Sequence, residues 1–343
     1  MKYGLLCYEY GRLKNTESVN LGDEIQSIAA SCFLPRIDCY IDRENIKSFA
    51  PTININNDKI KMIMNAWYQH DAKQGPPCDV ITPLLISIHI NPSNKEFVDN
   101  LFYSKNIEYL KQYQPIGARD LNTMQLLEKH GIKAYFSGCL TLTLPKNDRI
   151  VKQDYILCVD VSDELIAVLR KNTRKKIYCI SPQLPNNCFF DIQYKYNLAF
   201  KLLDAYQSAS CIITSRLHCA MPSLALETPV LLINDNKNEY RFGGLENFVR
   251  HMSTQEYLKN LDFFNINNPT ENSDLYKSFR DKLILSCEEF TGYKHRDISP
   301  LRDYSMEEAN ILQFIGLSKL VEKTETKNYL SWYWKRKIDK LKR

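Results

Sequence analysis

The stretch ITSRLHCAMPSLALETPVLLI (213–233) constrains the fold more than any other part of the 343-residue chain. Ser210 to Thr214 form an apolar strand. Ala220 to Leu226 read as an apolar helix with Met221-Pro222 in its first turn, and TPVLLI reads as a second buried strand. Strand, short turn, helix and strand make one right-handed crossover of a parallel sheet. Arg216 and His218 then stand at the C-terminal edge of that sheet, where ligands of such folds bind.

The same grammar recurs on both sides of this unit. Tyr3 to Tyr8 read as an opening strand, and an amphipathic helix starts near Asp23. KIKMIMNAW (59–67) and ITPLLISIHI (81–90) are buried strands, 104–113 is a short helix, PIGARD (115–120) ends a strand, and 121–131 is a helix stopped by Gly131. A polar break, PKNDRIVKQD (145–154), precedes YILCVDV, helical DELIAVLRKN, KIYCIS and helical YNLAFKLLDAYQSA. Alternating strands and helices predict an α/β chain of two Rossmann-like, doubly wound domains facing across a cleft. Their bounds are 1–147 and 148–325, followed by a basic, aromatic tail at 326–343.

Charge and cysteine usage narrow the function classes. The net charge of +5 resides in the last nine residues, KRKIDKLKR, so the rest of the chain is formally neutral and nucleic acid is excluded as a partner. The 11 cysteines include no C-x-x-C pair and sit mostly in apolar runs, as expected of reduced core residues in a cytoplasmic protein. No run of 18 apolar residues and no signal peptide are apparent. G-x-G-x-x-G, G-x-x-x-x-G-K-[ST] and G-x-S-x-G are all missing, which argues against NAD, P-loop and serine-elbow chemistry.

Three short blocks carry candidate chemistry. In NLGDE (20–24), Gly22 permits a tight turn and Asp23 begins a helix, either as its cap or beside a bound anion. In GARD (117–120), Arg119 offers a fork for carboxylate or phosphate, or else pairs with Asp120 at the surface. In SRLHC (215–219), Arg216 supplies permanent charge and His218 a proton near neutral pH. His89 is expected at a strand end facing the cleft, whereas His70, His130, His251 and His295 read as solvated. No cluster has metal-ligand spacing, and no metal or cofactor is expected. The set points to a small, multiply charged anion.

These blocks, with ARDLNTMQLLEKHGIKAYFSGCLTLTL (118–144), resemble the polysaccharide pyruvyl transferases. The resemblance spans about residues 20 to 244 and implies a fold like that of the GT-B glycosyltransferases. It implies phosphoenolpyruvate as donor, a sugar diol or lipid-linked oligosaccharide as acceptor, and a cyclic pyruvate ketal as product. Its R-D falls on Arg119 and its R-L-H on Arg216, Leu217 and His218. Lys237 or Arg241 stands where some members have a lysine. Donor binding is therefore expected of Arg119, Arg216, Leu217, His218, Lys237 and Arg241, and acceptor binding of Asn20, Asp23, Trp67 and His89. His218, assisted by Arg216, is the expected general acid and Asp23 the base. Two other classes stay open: a GT-B-like glycosyltransferase using a nucleotide sugar, and a non-catalytic glycan- or anion-binding module. The tail NYLSWYWKRKIDKLKR (328–343) has the composition of a segment lying on an anionic membrane, so a cytoplasmic chain peripheral to the inner membrane face is expected; packing of the same aromatics on the body is the alternative.

Overall fold

The computed structural model describes residues 1–9, 18–51, 58–66, 68, 75–185, 192–235 and 240–303. Trp67, His70, Cys188, Lys237 and the whole tail from 304 lie outside the described residues. The first half runs β1 (Lys2–Cys7), β2 (Ser18–Asn20), α1 (Leu21–Ser31), β3 (Cys39–Asp42), β4 (Ile60–Met64), β5 (Ile81–Leu85), α2 (Lys95–Leu101), α3 (Ser104–Gln112), β6 (Ile116–Ala118), α4 (Leu121–Lys129) and β7 (Ala134–Phe136). Strands β3-β1-β4-β5 form a parallel sheet. A parallel bridge from Ile88 to Ala118 links it to the parallel pair β6-β7.

The second half holds β8 (Tyr155–Val159), α5 (Asp163–Lys171), β9 (Lys176–Ile180), β10 (Gln183–Pro185), α6 (Ile192–Ser208), β11 (Cys211–Thr214), α7 (Leu217–Ala225), β12 (Val230–Ile233), β13 (Arg250–Met252), α8 (Thr254–Lys259) and α9 (Lys277–Thr291). Its parallel sheet runs β13-β12-β11-β8-β9, the 2-1-3-4-5 order of one class of doubly wound sheet. The first sheet begins in the same order. The chain is thus α/β with parallel sheets, and the crossover read from 213–233 is present.

Strand alternation sets the layers. Leu5, Ile63, Leu157, Val159, Ile212 and Leu232 face one continuous core that also takes in α1, α6 and α7. Their neighbours turn the other way: Leu6, Met62 and Met64 into a core confined to the first half, and Ile156, Cys158 and Ile213 into one confined to the second. The inner faces of both sheets therefore bury a shared layer of helices. Within that layer the buried Glu24 of α1 pairs with Lys195 of α6 at 3.2 Å. Desolvation pushes the Glu24 carboxyl up to about 7. Residues after α9 return to the first half, where Arg296 N donates to Cys32 O and Ser31 shares a hydroxyl bond with Ser299.

Several local expectations are corrected. Asn20, not Asp23, caps α1, accepting from Gly22 N at 3.1 Å, and Asp23 lies inside the first turn. Helix α7 starts at Leu217, so Pro222 is interior. It has no N–H for the His218 carbonyl four residues back, and His218 relaxes to φ −82, ψ 20. Ser87 at φ +54 ends the β5 run early. His89 is then turned inward and completely buried instead of facing a cleft. His130 stacks on Phe102 and His295 packs tilted against Phe33, so neither is simply solvated. All ten described cysteines are free, and most are buried.

Candidate active site

A cavity of about 210 Å³ opens where the C-terminal edges of both sheets meet the first turns of α1 and α7. From the first half it is lined by Asn20, Gly22 and Asp23 of the α1 start, by Arg43 after β3 and by Arg119 after β6. From the second half come Pro182, Arg216, Leu217, His218 and Arg241. Seven of the residues expected from sequence are thereby brought together: Asn20, Asp23, Arg119, Arg216, Leu217, His218 and Arg241. His89 does not line the cavity. Trp67 and Lys237 lie outside the described residues.

Arg119 follows β6 directly, and its backbone N donates to Ile88 O at 2.8 Å. Its side chain is buried, so the expected surface pair with Asp120 is instead an interior one. Arg119 Nε sits 3.9 Å from Asp120 Oδ2, too far for a hydrogen bond. Burial lowers the guanidinium pKa from its ordinary value. Asp120 also caps α4 by accepting from Thr123 N, and it bonds His89 Nδ1 at 2.6 Å. Burial and Arg119 push His89 down to about 4, so it donates Nδ1–H to Asp120 as a neutral ring.

His218 faces Arg119, whose Nη1 reaches Nε2 at 3.5 Å. A guanidinium only donates, so Nε2 is the acceptor and the proton sits on Nδ1. Burial, then Arg119 and Arg241, hold the imidazole well below its ordinary pKa. The other face of His218 packs on α1. A Cβ on Gly22 would lie 3.0 Å from His218 Cβ and 3.2 Å from its Nδ1. Gly22 therefore makes room for the imidazole, in place of the tight turn read from sequence.

Arg216 is arranged differently. It is the N-cap of α7 but makes no side-chain cap bond. Its Nε donates to Asp160 Oδ2 at 2.5 Å, which ties the guanidinium to the residue that follows β8. Asp160 ends β8 at φ +51, a conformation that Asp and Asn tolerate better than most residues. Its carbonyl accepts from Ser215 Oγ and its carboxylate from Ser181 Oγ. β8 and β11 are the adjacent strands between which the strand order reverses, so Asp160 and Arg216 flank the switch point of the second sheet.

Arg43 was not among the residues expected from sequence. It is buried with its guanidinium 4.9 Å from the Tyr8 ring centroid, bonded to Glu44 at 2.8 Å and 3.9 Å from Asp23. In DRENI (42–46) it reads as surface charge. The available signal was its place just past an apolar strand, at the edge that carries the other site residues. Among the described residues, no group of three His, Cys, Asp or Glu could hold a metal ion.

Four arginines and a neutral histidine thus converge on one small cavity, with Asp23 as its lining carboxylate. Residues 85–237 match the polysaccharide pyruvyl transferase family. The matched stretch contains Arg119, Arg216, Leu217 and His218 and ends before Arg241; Asn20 and Asp23 precede it. No curated protein sequence matches the chain.

Proposed function

We propose that this chain is a pyruvyl transferase that moves the pyruvyl group of phosphoenolpyruvate onto two hydroxyls of a sugar in a polysaccharide precursor. The observation that carries the reading is the meeting of Arg119, Arg216, Arg241 and His218 in one cavity, within and just beyond the pyruvyl transferase match. A carboxylate and a phosphate together need several fixed cations, and guanidinium forks suit both.

The chemistry balances on the residues present. One acceptor hydroxyl loses its proton to Asp23 and adds to C2 of the donor, while the methylene carbon gains a proton and becomes methyl. Phosphate then leaves C2, and the second hydroxyl closes the ketal, its proton leaving with the phosphate. Burial, then Arg119 and Arg241, keep His218 neutral before a donor binds. A bound trianion offsets the arginines that depress it, so His218 takes up a proton on Nε2 and becomes the acid for the methylene carbon. The arginines stabilise the departing phosphate without reorganising.

The two sheets, with their shared strand order, support a GT-B-like arrangement of 1–147 and 148–325, with donor contacts drawn from both halves. No described helix is long and apolar enough to cross a membrane. The tail beyond 325 is assigned to the membrane surface on composition, at the cytoplasmic face where lipid-linked acceptors are presented. The deciding experiment offers the full chain phosphoenolpyruvate or nucleotide sugars with a panel of glycans. The expected product gains pyruvic acid less one water and releases phosphate only when acceptor is present. Transfer from a nucleotide sugar would replace this function with glycosyl transfer, and donor binding without turnover on any glycan would leave an anion-binding module.

A further inference from the structure

The stretch from Tyr240 to Gly244 carries Arg241 from the second half of the chain to the cavity, and its other residues grip the start of α4. Asn122 Nδ2 donates to Tyr240 O at 2.9 Å, and Leu121 N donates to Gly243 O at 2.9 Å. The Tyr240 ring lies parallel to His89, 5.8 Å between centroids, and His89 is bonded to Asp120, the cap of α4. Two glycines allow this closeness. A Cβ on Gly243 would lie 2.5 Å from Asn122 Nδ2, the atom that holds Tyr240. Gly244 adopts φ +85, and a Cβ there would come within 2.9 Å of Leu121 Cγ.

We propose that Asn122 and Gly243 form a latch that positions Arg241 in the site. Arg119 immediately precedes Asp120, so the start of α4 fixes two guanidiniums at once, Arg119 through the chain and Arg241 through the latch. Asn122 is exposed and does not line the cavity. It acts through Arg241 and is a positioning residue. The inference rests on the cavity being the donor's anion site. It adds that the site is completed by an exposed amide on the first half gripping a backbone segment of the second.

The test is calorimetric titration of the full chain with inorganic phosphate and with phosphoenolpyruvate, alongside thermal melting. Gly243→Ala places a Cβ against the Asn122 amide that holds Tyr240, and losing a charge-assisted contact from Arg241 is expected to cost about tenfold in affinity. Asn122→Ala alone removes one hydrogen bond and is expected to cost about threefold, with little change in melting temperature. The informative variant is the double substitution. With Asn122→Ala present, Gly243→Ala has room, and affinity is expected to return to the Asn122→Ala level. Adding Asn122→Ala to Arg241→Ala is expected to weaken binding no further. A purely structural role predicts instead that affinity follows the melting temperature and that the Asn122→Ala loss adds to that of Arg241→Ala. Full affinity in Asn122→Ala and Gly243→Ala, or additive losses with Arg241→Ala, would overturn the latch and leave the anion site standing. Failure of the unmodified chain to bind either anion would overturn both. Should Gly243→Ala not fold, the exposed Asn122→Ala, alone and with Arg241→Ala, decides the matter.

Discussion

Arg119 and Arg216 reach the same cavity from opposite sheets, yet they are held by opposite means. Arg119 is sealed in the interior, with its Nε lacking a hydrogen bond and its nearest carboxylate at 3.9 Å. Arg216 keeps about a third of its side-chain surface in solvent and is bonded tightly to Asp160. A charge stripped of water and incompletely paired gains most when a ligand supplies the missing anion, because nothing screens the new contact. A charge that already has a carboxylate and solvent gains less, since the ligand partly replaces what was there. The first sheet thus presents a fixed, hungry cation, and the second an adjustable one that a carboxylate keeps aimed.

The largest expected effect tests this contrast directly. Arg119→Lys is expected to lower kcat/KM by about 10²–10³, because an ammonium cannot reproduce the fork and a buried lysine tends to lose its proton. Arg216→Lys is expected to cost about tenfold, since the exposed position keeps its charge and water can bridge the gap. Steady-state phosphate release with both variants checked for folding by circular dichroism measures the two losses. Equal losses, or a greater loss at 216, would break the comparison.

Asp160 sharpens it from the other side. Asparagine shares its tolerance of φ +51, so Asp160→Asn is expected to preserve the backbone while removing the carboxylate that aims Arg216. The site then gains net positive charge but loses alignment. Anion affinity is expected to hold or rise while kcat falls about tenfold. A parallel fall in affinity and melting temperature would mean that Asp160 serves the fold and not Arg216.

How much of this was legible beforehand depends on the length of the signal. Apolar strands next to periodic helices gave the parallel α/β pattern, and the crossover at 213–233 placed Arg216, Leu217 and His218 on one edge, where the structure has them. Short or aperiodic features were opaque. Helix α2, only seven residues long, has no room to declare a period. The burial of His89 follows from a left-handed Ser87, and nothing in a run of alternating apolar residues signals that twist. Gly22 was visible as a glycine, but its reason lies nearly 200 positions away, in the imidazole of His218. Arg43 hid among Asp42 and Glu44, because sequence shows charges side by side and not which of them the sheet turns inward. The shared helical layer was invisible for the same reason: period two says that a strand has two faces, not that two sheets aim theirs at the same helices.

The smallest expected effect concerns His218, which faces Arg119 in the same cavity. Its folded pKa lies well below the 6.5 of a free histidine, so at and below that value the unfolded chain binds more protons than the folded one. Stability is therefore intact above about pH 6.5 and is lost as pH falls through and below it. His218→Gln, which cannot take up that proton, is expected to flatten this acid loss in melting temperature. An anion beside His218 reverses the bias, raising its proton affinity, and by reciprocity a proton on His218 strengthens anion binding. Sulfate is the proper probe, since it stays dianionic where phosphate titrates. Its affinity is expected to rise a few-fold, roughly three- to tenfold, between about pH 8 and about pH 6 in the unmodified chain, and to stay level in His218→Gln. Arginine side chains stay charged over this range and cannot produce the slope. A slope that survives in His218→Gln would assign the proton to another group, and with it the role of acid toward the donor.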